Sequence, residues 1–80
     1  MKIKDIEELG FRILAKGDTY LVASNKSDSN SWIELGYDIN KQVVEVFDVQ
    51  QHEKGGTTRS ILTISECKDM ESLQTILKQY

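Results

Sequence analysis

The chain has 80 residues, a formal net charge of −3 from 13 acidic and 10 basic side chains, one cysteine and no proline. A chain this short forms a single domain, residues 1–80, that buries only about 60–65% of its unfolded surface, which leaves little room for a deep cleft. A hydrophobic fraction of 39% with 29% charged residues and a mean hydropathy of −0.42 excludes a disordered or membrane-embedded chain, and the scattered Lys and Arg argue against nucleic acid as the direct ligand.

The opening "MKIKDIEELGF" lacks the apolar run of a signal peptide, and no stretch reaches the about 18–20 apolar residues of a membrane span. With Cys67 unable to form an internal disulfide, the expected location is the cytoplasm. Ile3, Ile6 and Leu9 recur at helical spacing and predict a short helix ending at Leu9, with Gly10 left-handed and Phe11 folding back onto Ile6. "FRILAKGDTYLVAS" reads as a hairpin around Ala15-Lys16-Gly17-Asp18, and the polar tract from residue 25 to 31 as a mobile loop.

"WIELGY" and "VVEVFDV" read as strands joined by a turn over Asp38–Lys41, with Asn40 able to take a positive φ, and "TTRSILTI" as a fifth strand. Ser65 is then the expected N-cap of a C-terminal helix, with Glu66 and Asp69 at its positive end and Met70, Leu73, Ile76 or Leu77 and Tyr80 along one stripe. The predicted fold is α+β: a five-stranded antiparallel meander, with a short N-terminal helix and a C-terminal helix packed on one face.

Alternation sets the expected register. A turn at Asp38–Lys41 places Tyr37 opposite Gln42, Leu35 opposite Val44, Ile33 opposite Val46 and Trp32 opposite Phe47, whereas a shift of one residue would set Leu35 against Glu45. Continued outward, Val46 faces Leu62, Val44 faces Ile64, Phe47 faces Ile61 and Glu45 faces Thr63. The core face then collects Phe11, Ile13, Tyr20, Val22, Ile33, Leu35, Tyr37, Val44, Val46, Leu62 and Ile64. The reverse face collects Leu14, Leu21, Ala23, Trp32, Phe47, Val49 and Ile61, alongside Arg12, Glu34, Glu45 and Arg59.

That reverse face is richer in large apolar residues than a solvated sheet face should be. Exposed aromatic patches mark partner surfaces, and Trp and Arg dominate binding hot spots. The sequence therefore points to a non-enzymatic protein-binding module whose partner-binding residues are Trp32, Phe47, Leu21, Val49, Ile61, Arg59, Glu34 and Glu45. The competing reading is a strongly curled sheet that tucks the rings into a second small core.

Catalytic and metal chemistry find weaker footing. Glu34 opposite Glu45 would be a carboxylate pair, but a general acid needs burial, a metal needs more ligands, and Arg12 or Arg59 can neutralise the pair. "QQHEKGGTTRS" (50–60) runs its glycines into a strand instead of a helix N-terminus, so it reads as a wide hairpin turn and not a phosphate cradle. His52 has no second histidine at metal spacing. Cys67 near a helix start has no His or Asn partner, and a lone cysteine is usually buried. No cofactor motif is present, and a small hydrolase or nucleic-acid modifier using Glu34, Glu45 and His52 is the lesser alternative.

The stretches "IKDIEELGF", "SDSNSWIELGYDINKQVVEVFDV" and "LTISECKDMESLQTI" resemble the very short proteins encoded by phages and mobile elements of low-GC bacteria. The resemblance implies stoichiometric binding to a host or phage protein, including inhibition of defence nucleases such as those of CRISPR systems, and it transfers no site residue. A structural homodimer pairing through the same sheet face is the other expectation.

Overall fold

The computed structural model describes residues 3–80; Met1 and Lys2, at the head of the stretch read above for a targeting signal, lie outside the described residues. Helix α1 spans Ile3–Glu7. Its last turn tightens through Leu9 N–H to Ile6 O (3.1 Å) and Gly10 N–H to Glu7 O (2.9 Å), and Gly10 takes φ +94°, a conformation open to glycine because it lacks a Cβ. The chain then reverses, and Phe11 joins Ile6 in the core.

Five strands follow: β1 (Arg12–Lys16), β2 (Tyr20–Ser24), β3 (Ser31–Asp38), β4 (Val43–Gln51) and β5 (Thr57–Glu66). They form one antiparallel sheet in the order β1-β2-β3-β4-β5, the meander expected from short sequential connections. Helix α2 (Met70–Leu77) closes the domain, and no helix among the described residues is long and apolar enough to cross a membrane. Both helices lie over the same sheet face, where Ile6, Phe11, Leu21, Ala23, Leu35, Tyr37, Val44, Val46, Cys67, Leu73 and Leu77 make one buried cluster.

The register departs from the sequence reading in three places. The β3–β4 loop is 39–42, not 38–41, so Asp38 pairs Val43, Tyr37 pairs Val44, Leu35 pairs Val46, Glu34 pairs Phe47 and Trp32 pairs Val49. This displaces the pairing by two residues and leaves every side chain of β3 and β4 on its expected face, since the pleat repeats every two residues. Gln42, not Asn40, takes the positive φ (57°). It is held there because its carbonyl accepts Cys67 N–H (2.7 Å) and its Nε2 donates to Lys68 O (3.1 Å), while Lys41 N–H donates to Asp38 Oδ1 (3.0 Å).

In the first hairpin Phe11 and Ile13 keep their expected core side, but the faces of β2 are reversed. Leu21 pairs Tyr37 and Ala23 pairs Leu35, so these two point into the core, and Tyr20 and Val22 point outward. "YLVA" is apolar in both phases, so periodicity could not choose between them. A bulge between Ile13 and Ala15 leaves Leu14 half exposed. In the turn 17–19 a Cβ on Gly17 would meet the exposed Tyr20 ring, which would have to swing aside to admit it.

The third departure is in β5. A bulge at Leu62 switches the ladder from Phe47–Ile61 to Val46–Thr63, so Glu45 pairs Ile64 and Val44 pairs Ser65. Thr63 and Ser65 therefore take the core-side positions expected for Leu62 and Ile64, and those two are 47% and 61% exposed. The same strand runs through Ser65 and Glu66, which moves the helix cap: the N-cap is Asp69, whose Oδ1 accepts Ser72 N–H at 2.8 Å. That hydrogen bond to the ionised form holds the Asp69 carboxyl below its usual pKa.

Candidate functional site

With both helices on one side, the reverse face of the sheet presents Tyr20 and Val22 from β2, Trp32, Glu34, Gly36 and Asp38 from β3, Val43, Glu45, Phe47 and Val49 from β4, and Arg59, Ile61, Ile64 and Glu66 from β5. It divides into two halves of different character.

At one end the rings are roofed by charge. Trp32 lies beside Val49, which lies beside Arg59, and Glu34 lies beside Phe47, which lies beside Ile61. Lys26 Nζ sits 4.5 Å from the centre of the Trp32 ring, and the Arg59 guanidinium 5.4 Å from that of Phe47. Arg59 forms an ion pair with Glu34, and Glu34 Oε2 accepts Trp32 Nε1–H at 3.4 Å. Lys26 is placed by Asn25, which clasps β3 through its N–H to Ile33 O (3.0 Å) and through Ile33 N–H to its own Oδ1 (2.6 Å). The loop 25–30 is also tied at its far end, where Gln51 N–H donates to Asn30 O (2.8 Å). Under this roof Val49 is only 3% exposed, while Trp32 and Phe47 are half-buried. The rings thus form a small cluster of their own outside the main core.

At the other end the face is open. Gly36 has no side chain, and the space above it forms a shallow hollow of about 320 Å³ bordered by Tyr20, Val22, Asp38, Lys41, Val43 and Glu45. A Cβ built on Gly36 meets nothing within 4 Å. Beyond Glu45 stands Ile64, with Ile61 next to it beside Phe47, the two exposed at 61% and 58%.

Several expected site residues are relocated. Leu21 is in the main core through the reversed phase of β2, and Val49 is covered by its neighbours, so neither is available to a partner. Glu34 does not face Glu45: they pair with Phe47 and Gly36 respectively, and Glu34 is engaged by Arg59. Ile61, Arg59 and Glu45 are exposed on the reverse face. The sequence reading missed Gly36, Tyr20 and Ile64, since the hollow and the exposure of Ile64 depend on the true register.

His52, Cys67, Tyr37 and Asp69 have structural partners. His52 Nε2 meets Thr58 Oγ1 across a hairpin whose turn is closed by His52 N–H to Gly56 O (3.1 Å) and Gly55 N–H to His52 O (3.0 Å), with both glycines at positive φ. Cys67 is fully buried, its Sγ donating to Asp69 O (3.3 Å), and burial pushes its thiol pKa up, away from nucleophilic use. Tyr37 donates from its hydroxyl to Cys67 O (2.9 Å), and burial pushes its pKa up to about 12. A second hollow, beside the start of α2, is lined by Asp69, whose carboxylate is occupied by the cap. Among the described residues no three His, Cys, Asp or Glu side chains gather as metal ligands. Comparison with protein-family models, curated proteins and solved structures gave no match, so the geometry of the reverse face carries the functional reading.

Proposed function

We propose that this chain is a non-enzymatic protein-binding module that acts by stoichiometric occlusion, and that its contact surface is the open half of the reverse sheet face. The observation that carries the reading is the hollow over Gly36 flanked by the exposed Ile61 and Ile64. A recess beside an apolar ridge suits a protruding aliphatic or aromatic partner side chain, and the mixed charges of Asp38, Lys41 and Glu45 at its border suit polar groups of both signs around that knob. The commitment of Glu34, His52 and Cys67 to internal contacts supports binding over catalysis. Given the resemblance in the sequence to short phage-encoded proteins, the proposed partner class is a host or phage protein, with a defence nuclease of the CRISPR type as the leading candidate.

Gly36→Lys tests this without disturbing the fold, because the new side chain grows into open space on a strand with ordinary φ. Immobilised wild-type chain should retain a protein from a low-GC bacterial lysate at fixed stoichiometry. Gly36→Lys should lose that protein while keeping the wild-type circular dichroism spectrum and melting temperature. Equal retention by both proteins would refute the assignment of the surface.

A further inference from the structure

The free margin of the sheet at β5 carries a separate signal. The opposite margin, β1, is a bulged strand of five residues, whereas β5 has ten, with every residue from Thr57 to Leu62 exposed. A long edge strand displays unpaired N–H and C=O groups that can template pairing with another strand.

The phase of those groups is fixed from both ends of β5. His52 N–H bonds Gly56 O at the hairpin, and Cys67 N–H bonds Gln42 O at the far end. In an antiparallel ladder hydrogen-bonded pairs alternate with pairs whose backbone groups turn away from each other. Counting inward from the hairpin, the outward-turned residues are Thr57, Arg59 and Ile61; counting inward from Cys67 they are Glu66 and Ile64. The bulged Leu62 is the residue at which the two counts meet. The bulge also keeps all five on the reverse face.

We infer that β5 pairs antiparallel with β5 of a second copy of this chain, about a two-fold axis perpendicular to the sheet between Leu62 and Thr63. This register sets Arg59 opposite Glu66 of the second copy and Ile61 opposite its Ile64, and symmetry repeats both pairs. All four pairs then join outward-turned backbone groups, match opposite charges and match isoleucine with isoleucine. A slip of two residues either way loses this match: one direction sets Arg59 against Ile64 and Thr57 against Glu66, and the other sets Ile61 against Glu66. The guanidinium has five donors on a side chain that is 52% exposed, so Arg59 can hold Glu34 of its own chain and reach the second carboxylate as well. Edge pairing joins the chains side by side and does not depend on the hollow over Gly36.

Sedimentation equilibrium across concentrations up to the millimolar range tests the pairing. The wild-type mass should rise toward twice the 9.1 kDa of one chain. Glu66→Arg places two arginines opposite each other at both ends of the interface and should raise the dimer dissociation constant by about tenfold or more. Ile64→Lys, on an exposed side chain, should do the same without altering the circular dichroism of the monomer. Arg59→Glu mixed with Glu66→Arg should restore association as a heterodimer. A wild-type chain monomeric throughout, or a dimer that Glu66→Arg and Ile64→Lys leave unchanged, would overturn the proposal.

Discussion

Replacing Tyr37 by Phe removes one hydroxyl at the point where the end of β5 turns under the sheet toward α2. The ring is 3% exposed and its hydroxyl donates to Cys67 O at 2.9 Å, so the substitution takes a buried donor from that carbonyl. The cost at neutral pH is about 1–3 kcal/mol. Alkaline pH works in the opposite direction. The folded state holds the Tyr37 pKa at about 12, whereas the unfolded chain titrates near the ordinary 10.0. The folded protein therefore binds more protons between those values, and wild-type stability is present below about pH 10 and is lost as pH rises through about 12. Linkage gives a loss on the order of 1 kcal/mol between about pH 9 and about pH 11 from this group alone. Tyr37→Phe lacks that contribution. Urea unfolding at pH steps over this range should show Tyr37→Phe less stable at pH 7 and the gap closing as pH rises. Parallel curves, with the gap constant to pH 11, would refute the account of Tyr37 as a buried donor.

Leu73 is fully buried, so Leu73→Ala should cost about 3 kcal/mol or more, a fall of roughly 12–24 °C in melting temperature for a domain of this size, read by thermal circular dichroism. Cys67 should resist a mild alkylating agent in the native protein and react fully in urea, with mass spectrometry giving the labelled fraction. Trp32→Ser should lower stability by about 1–2 kcal/mol in urea titrations, because it strips cover from Val49 and removes the surface on which Lys26 rests.

What the sequence disclosed follows from how each strand is patterned. In β3 and β4 the alternation of Ile33, Leu35 and Tyr37 with Glu34, and of Val44 and Val46 with Glu45, admits one phase, and both faces of those strands came out as read. β2 offers four apolar residues in a row, so its phase was settled by which pair filled the space beside Leu35 and Tyr37. β5 could not be read beyond Ile61, because a bulge leaves no mark on hydrophobic periodicity. Its displacement of Leu62 and Ile64 moved the open part of the candidate site toward the sheet edge. The sequence reading puts the cap of α2 at Ser65; the cap is Asp69 because strand pairing persists through Glu66 and the Gln42 carbonyl then captures Cys67 N–H. The roof over Trp32 and Phe47 depended on a loop clasp by Asn25 that no motif announces.

Leu62 has no cross-strand partner in the ladder, so a chain shortened by that single residue would keep every cross-strand neighbour of β5. What it would lose is the local kink and extra twist that a bulge imposes. The unpaired leucine thus carries Ile61 and Ile64, three residues apart, onto one side of the sheet, where an unbroken strand would set them on opposite sides.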